Sequence, residues 1–115
     1  MPLPHLAAVA GRVLIALLFV AAGAVKILGP KPYLDHMAQR RIPAPLLVGV
    51  IVLELGAGGA VLAGWNLRYS AGALALFCLL TAVIFHTDFA DKTERTAFMK
   101  DLAICGGLLA IAAAG

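Results

Sequence analysis

The most informative residue of this sequence is Glu54, a carboxylate in the middle of a long apolar run. A charge at the centre of a membrane-spanning helix costs on the order of 2.5–3.5 kcal/mol, so such a residue normally faces the protein interior and has a partner. Burial disfavours the charged carboxylate unless a cation lies within a few ångströms. We expect Arg12, on the first apolar segment, to be that cation.

Three roles are open for Glu54. It can form an ion pair with Arg12 that only holds two helices together, it can anchor the polar headgroup of a ligand, or it can carry a proton on its carboxyl group. Arg12, Gly23 and Lys26 share one face of the first segment, and Gly23 allows a neighbouring helix to approach closely.

A second group of polar residues lies at the ends of the apolar segments. Lys26 is near the end of the first segment, and His86 ends the third. Lys100 and Asp101 begin the fourth. Antiparallel hairpins bring all four to one membrane face, where they can bind an anionic or quinone-like headgroup. The alternative for the cluster is an interfacial ion-pair network, and for Lys26 alone it is a side chain that extends towards water.

Other chemistries lack the residues that they need. Cys78 and Cys105 lie inside apolar segments and form no CxxC motif, so we expect them to be packing residues, with a redox pair as the alternative. The sequence has no glycine-rich phosphate loop, no GxSxG and no HExxH. We predict no metal site, and no cofactor is evident, although a quinone is compatible with the polar residues.

The composition indicates that lipid surrounds the chain. Hydrophobic residues make up 63% of its 115 residues and charged residues 13%, with a mean hydropathy of +0.99. A typical soluble chain is roughly 25% charged, so this one has too few charges to cover an exterior in water. The net charge of +3 comes from residues beside the apolar runs and not from a basic stripe with aromatics, which excludes nucleic acid as an expected partner.

Four apolar segments are long enough to cross a bilayer, since about 20 helical residues span a hydrocarbon core of roughly 30 Å. We predict an all-α fold in a single domain over residues 1–115: a transmembrane four-helix bundle with a short interfacial helix between helices 1 and 2. The predicted spans cover about residues 6–28, 44–64, 69–86 and 98–115. A secretory signal peptide is the alternative interpretation of the first span.

The distribution of basic residues predicts the orientation. Seven Lys and Arg residues lie in or beside the loops that join spans 1–2 and 3–4, namely Lys26, Lys31, Arg40, Arg41, Lys92, Arg95 and Lys100. The other side has two, Arg12 and Arg68. The positive-inside rule therefore places both long loops in the cytoplasm and both termini outside. Trp65 and Tyr69 are expected at the level of the lipid headgroups.

Several short motifs follow one another in a specific order. They are Arg12, Ala22-Gly23, Lys26, Leu53-Glu54-Leu55-Gly56, Gly64, Arg68, Phe85-His86, Phe98, Lys100 and Gly106-Gly107. In this order and spacing, nearly the whole chain resembles the DoxX family of small four-helix integral membrane proteins. The family pattern has Lys-Asn at the start of helix 4, where this chain has Lys100-Asp101. A carboxylate thus replaces the neutral amide.

The resemblance implies a role in redox metabolism. The family is named after a subunit of a membrane oxidoreductase that links thiosulfate oxidation to quinone, and many members are described only as candidate oxidoreductases. We therefore expect a small subunit of the bacterial inner membrane that binds a quinone, lipid or partner subunit through intramembrane polar residues. Whether it is itself an enzyme or a homo-oligomer stays open. Distant relatives that act as cargo receptors or assembly chaperones support the alternative, a non-catalytic adaptor whose buried charges are structural.

Overall fold

The computed structural model describes residues 2–115, and these form five α-helices and no strand. The helices are α1 (Leu3–Leu28), α2 (Lys31–Gln39), α3 (Leu46–Ala63), α4 (Leu67–Phe85) and α5 (Lys92–Ala114). All except α2 are long and apolar enough to cross a membrane. The predicted all-α bundle, with a short helix between its first two spans, is confirmed.

Local sequence determines where the helices begin and end. Gly64 ends α3 with a φ of +78°, a left-handed conformation that glycine adopts without strain. Helix α5 begins at Lys92 because the Asp91 carboxylate caps it, accepting a hydrogen bond of 2.8 Å from the backbone N–H of Thr93. It thus starts before the predicted boundary near residue 98, since its first polar turns are helical too.

Helix α4 is central to the bundle, because it packs against both α3 and α5, while α1 packs mainly against α3. The core contains small and medium-sized side chains from all four long helices: Ala16, Phe19, Val61, Ala71, Leu74, Ala75, Cys78 and Leu108. In lipid, close van der Waals packing of this kind holds helices together, because the acyl chains are as apolar as the side chains.

Two glycines bring α1 and α3 into close antiparallel contact. A Cβ at Gly23 would lie 2.7 Å from Leu55 Cγ, and a Cβ at Gly58 would lie 3.1 Å from Phe19 Cβ. The close approach predicted at Gly23 is therefore confirmed. These contacts place residue 23 opposite residue 55 and residue 19 opposite residue 58, and this register decides which polar side chains can meet.

The outer surface of the bundle consists largely of big apolar side chains. Exposed examples on the four long helices are Leu14, Leu17, Val25, Val48, Val52, Leu76, Leu80, Val83 and Leu109. A soluble monomer rarely exposes so continuous an apolar surface. The longest dimension is 48 Å, so the bundle is long enough to cross the roughly 30 Å hydrocarbon core and extend into the headgroups.

Candidate functional site

A cavity of about 470 Å³ lies among the helices at the end where α1 stops and α3 begins. Its walls are mainly apolar and include Leu18, Phe19, Leu47, Val50, Phe77 and Ile104. Ionisable side chains from all parts of the bundle line it as well, among them Lys26, Tyr33, His36, Glu54, His86 and Asp101. We call it the polar cavity. An apolar pocket with a few converging polar groups is the usual form of a small-molecule site.

Lys26 and Glu54 form an ion pair at the wall of this cavity. Lys26 Nζ lies 2.8 Å from Glu54 Oε1, and the two side chains are 14% and 3% exposed. The ammonium group also lies over the ring of Tyr33, 4.8 Å from its centroid, in a cation–π contact. An ammonium group 2.8 Å from a carboxylate oxygen forms a charge-assisted hydrogen bond, so each member of this pair compensates the other.

The predicted ion pair between Arg12 and Glu54 is wrong. Glu54 lies opposite Gly23, and Lys26 is one turn further along the same face of α1. Arg12 instead packs against Gly64 at the end of α3. Glu54 and Gly64 are ten residues apart, which is about 15 Å along a helix axis. The helix register, which the sequence does not state, therefore gives Glu54 a lysine partner and keeps Lys26 from extending to water.

His86 lies between two carboxylates of α5. Its Nδ1 is 3.1 Å from Glu94 Oε2, a hydrogen-bond distance, and its Nε2 is 3.8 Å from Asp101 Oδ2, which is too long for one. Asp101 Oδ2 is buried and has no hydrogen-bond partner within residues 2–115. Asp101 therefore brings an unused acceptor to the wall of the polar cavity.

Lys100 does not join the predicted cluster with Lys26, His86 and Asp101. Its side chain is exposed, and it is not a lining residue of the polar cavity. Helix α5 already starts at Lys92, so positions 100 and 101 lie well inside it and point about 100° apart around its axis. Asp101 is directed towards His86, and Lys100 consequently points away from the bundle.

The prediction missed three residues that build the site: Tyr33, His36 and Glu94. Tyr33 and His36 belong to α2, whose Met37, only 7% exposed, lines the cavity as well. Arg40, just past α2, donates a 3.4 Å hydrogen bond to the carbonyl of Phe85. The helical spacing of Tyr33 and Met37 was a usable signal, because it gives α2 an apolar face that must be covered.

The two cysteines are packing residues in this structure. Cys78 is buried in the core, Cys105 packs against the same cluster, and both are free thiols. Within residues 2–115, no three His, Cys, Asp or Glu side chains are grouped in a way that could hold a metal ion. The ionisable groups that line the polar cavity thus include an ammonium group, two imidazoles, a phenol and two carboxylates.

Comparison with known sequences identifies the family. The DoxX family model matches residues 7–87, a range that contains Lys26, Glu54 and His86. The chain belongs to the DoxX family. Helix α5, which supplies Asp101 and Glu94 to the site, lies beyond the matched range of this DoxX chain.

Two relatives from Escherichia coli (strain K12) are similar over most of their length. The DoxX chain is 41% identical over 104 residues to inner membrane protein YqjF, in an alignment that covers 90% of this chain and 80% of the relative. It is 30% identical over 111 residues to inner membrane protein YphA, covering 90% and 79%. No solved structure matches the chain. The family and the four apolar spans make this DoxX protein an integral membrane protein.

Proposed function

We propose that this protein is a small membrane subunit associated with redox metabolism, which binds a quinone headgroup in the polar cavity. One observation carries the proposal. The cavity combines apolar walls with an ammonium group, two imidazoles and two carboxylates, and one carboxylate oxygen, Asp101 Oδ2, is buried with no hydrogen-bond partner within residues 2–115. A polar, roomy site with unused hydrogen-bonding groups favours binding over a purely structural role, since natural interiors rarely leave such groups unpaired.

The residues present fit a quinone headgroup. When bound, a quinone supplies two-electron redox chemistry, with protons exchanged at its two oxygens. The flat ring needs apolar contacts, which Phe19 and Phe77 would supply from opposite helices. Its carbonyl oxygens need donors, and its reduced hydroxyl groups need acceptors. Lys26 would supply the first, and Glu54 and Asp101 the second.

Each polar residue would have a separate task. The Lys26 ammonium, held between Tyr33 and Glu54, would donate to a carbonyl oxygen of the headgroup. Glu94 would hold His86 through Nδ1 and keep Nε2 directed towards Asp101. Asp101 would then hold or release a proton at the oxygen that has no partner. The surrounding apolar walls would exclude bulk water, which strengthens each of these interactions.

Electrons would come from a partner subunit, and the polar residues would only bind the headgroup and exchange its protons. We place the protein in the bacterial inner membrane, as the names of the two relatives do for those proteins. The long loops would face the cytoplasm and the termini the outside, because seven of the nine Lys and Arg residues flank the former. The end of the bundle that holds α2 and the polar cavity would then lie on the cytoplasmic side.

The adaptor hypothesis has one observation in its favour. The Lys26–Glu54 ion pair joins α1 to α3, which is what a structural cross-link between two helices would do. In that case the charges hold the bundle together, and the cavity is not used. The two functions predict different properties for a folded protein that lacks this ion pair. Quinone binding should be lost if the pair serves a ligand, and association with a partner protein should be lost if the protein is an adaptor.

Quinone binding to the purified full-length protein in lipid nanodiscs tests the proposal. The probe is a short-chain ubiquinone analogue, measured by equilibrium dialysis. The double substitution Lys26→Gln with Glu54→Gln keeps the net charge and the size of the pair, and should weaken binding roughly ten-fold or more, since it removes a charge-assisted hydrogen bond. Lys100→Gln, which removes an exposed cation outside the cavity, should leave binding unchanged.

Two results would contradict quinone binding. Either the natural protein takes up no quinone analogue, or the double variant folds and binds it as tightly as the natural protein does. The second result would show that the Lys26–Glu54 pair has no role in quinone binding. Unchanged association with partner proteins would then also remove the support for the adaptor hypothesis. A double variant that folds but loses a co-purifying protein instead of a quinone would support the adaptor hypothesis.

A further inference from the structure

We infer that a second cleft, at the opposite end of the bundle from the polar cavity, binds the phosphate group of an anionic phospholipid through Arg12. This cleft has a volume of about 510 Å³ and lies between the N-terminal half of α1 and the C-terminal half of α5. Lipid binding in this cleft does not depend on quinone binding, because the cleft shares no residue with the polar cavity.

The cleft exists because α1 and α5 touch at few places. Ile15 closes its inner end, where a Cβ at Gly107 would lie 2.9 Å from Ile15 Cδ1. Further towards the termini, both walls carry small side chains: Ala7, Ala8 and Gly11 on α1, and Ala110 and Ala114 on α5. An apolar groove of this kind can receive an acyl chain that runs along the protein surface.

Among residues 2–115, Arg12 is the only Lys or Arg that lines this cleft. Its Nε is buried and has no hydrogen-bond partner in the described chain, residues 2–115. None of the ion pairs found there includes Arg12. A buried donor of a charged group is costly to leave unpaired, so an acceptor from outside the protein would stabilise it.

The chain itself cannot supply that acceptor from a carboxylate side chain. Its six acidic residues are Asp35, Glu54, Asp88, Asp91, Glu94 and Asp101. All of them lie in the middle of α3 or towards the end of the bundle that holds α2 and the α4–α5 loop. At the end with the α3–α4 turn, the charged side chains are Arg12 and Arg68. This end is therefore positive and attracts anions.

The depth of Arg12 identifies the anion as a lipid headgroup. Its guanidinium packs against Gly64, where α3 ends and the chain turns. Trp65 and Tyr69, beside this turn, are both 69% exposed, and such aromatic rings prefer the headgroup level of a membrane. Lipid phosphates occupy this level. Guanidinium binds phosphate through paired hydrogen bonds, and an acyl chain of the same lipid would lie in the cleft.

Lipid binding to the purified full-length protein in detergent micelles tests this inference by native mass spectrometry. The probes are phosphatidylglycerol, which has a net negative charge, and phosphatidylcholine, which does not. The natural protein should prefer phosphatidylglycerol roughly ten-fold, as expected for one charge-assisted contact. Arg12→Gln should abolish the preference. Arg68→Gln, at the same end but outside the cleft, should retain it.

A second pair of variants tests the groove without touching the charge. A Cβ at Gly11 meets no atom within 4 Å, so Gly11→Leu extends into the cleft without disturbing the packing, and leucine favours the helix. It should lower phosphatidylglycerol binding. Gly106→Leu, an equally open position outside the cleft, should not. This pair decides the matter if Arg12→Gln fails to fold.

Three outcomes of the lipid-binding measurements would overturn the inference, and a competition with phosphate adds a fourth. The natural protein could show no preference between the two lipids, Arg68→Gln could lose the preference as Arg12→Gln does, or Gly11→Leu could bind as the natural protein does. Inorganic phosphate serves as a competitor that separates two sources of the same chemistry. If it displaces phosphatidylglycerol completely, the site binds a free anion, and the lipid assignment is wrong.

Discussion

At the scale of single residues, the site depends on a buried ion pair whose members compensate each other. Removing one charge of such a pair leaves the other without compensation, whereas replacing both by apolar side chains of similar size is often neutral or stabilising. Glu54 is 3% exposed and Lys26 14%, so water cannot replace a missing partner. Stability and ligand binding should therefore respond differently to single and double substitutions.

We predict that Lys26→Ala lowers the free energy of unfolding by about 3 kcal/mol, the lower end of the range for an orphaned buried charge. The double substitution Lys26→Met with Glu54→Leu should restore most of this stability. Unfolding in mixed micelles with increasing dodecyl sulfate measures both effects. If the double variant is as unstable as Lys26→Ala, then the ion pair itself adds to the free energy of unfolding, and compensation of a buried charge is not its whole effect.

The same double variant separates stability from function. If it unfolds like the natural protein but binds no quinone analogue, then the ion pair serves the ligand. If it is stable and keeps every measurable property of the natural protein, then the pair is structural.

The cost of burying a charge was enough to predict from sequence that Glu54 faces inwards. The identity of its cation was not predictable, because Arg12 and Lys26 lie on the same face of the helix.

At the scale of helices, the register between α1 and α3 decides which cation reaches Glu54. Two contacts set it, Gly23 with Leu55 and Gly58 with Phe19. Periodicity predicts that these helices exist and which faces are small, but several glycines offer possible contacts. Of those in α3, Gly56 and Gly59 face open space. A single sequence does not distinguish them from Gly58, since all three have the same side chain.

We predict that Gly23→Leu lowers the free energy of unfolding by about 1–3 kcal/mol, because a larger side chain forces Leu55 to move and separates α1 from α3. It should also weaken quinone binding, since Lys26 lies one turn beyond Gly23 and would move away from Glu54. The same micelle unfolding and dialysis measurements apply.

Gly56→Leu is the matched control for this helix contact. It introduces the same side chain into the middle of α3, at a position where an added Cβ meets nothing. It should leave stability unchanged or raise it slightly, because leucine is a better helix former than glycine. Equal destabilisation by Gly23→Leu and Gly56→Leu would contradict the register described above.

At the scale of the whole molecule, charge is distributed unequally between the two ends of the bundle. One end has five of the six acidic residues together with most of the basic ones, and the other has Arg12 and Arg68. Composition and hydropathy were sufficient to predict the membrane environment and the number of spans. They were not sufficient to predict the polar cavity, because its shape depends on where α2 lies and on the early start of α5 at Lys92.

We predict that a reporter fused after Gly115 is located outside the cytoplasm. Alkaline phosphatase, which folds only in an oxidising compartment, should be active in this fusion. Green fluorescent protein fused at the same position should not fluoresce. Fusions made after Gln39, in the basic α1–α3 connection, should give the opposite pattern. The reverse result at both positions would invert the orientation and place the cavity mouth outside.

Helix α5 has a further consequence for how the protein varies and adapts. Leu108 is its one fully enclosed side chain. Four others, Ile104, Cys105, Ile111 and Ala112, are partly buried against the core, whereas Met99, Leu102 and Leu109 are exposed on the outer face. In a bilayer this outer face meets acyl chains, which place no demand on the shape of a side chain. Substitutions between apolar residues should therefore be tolerated on the outer face of α5 and resisted on the face that packs against α4.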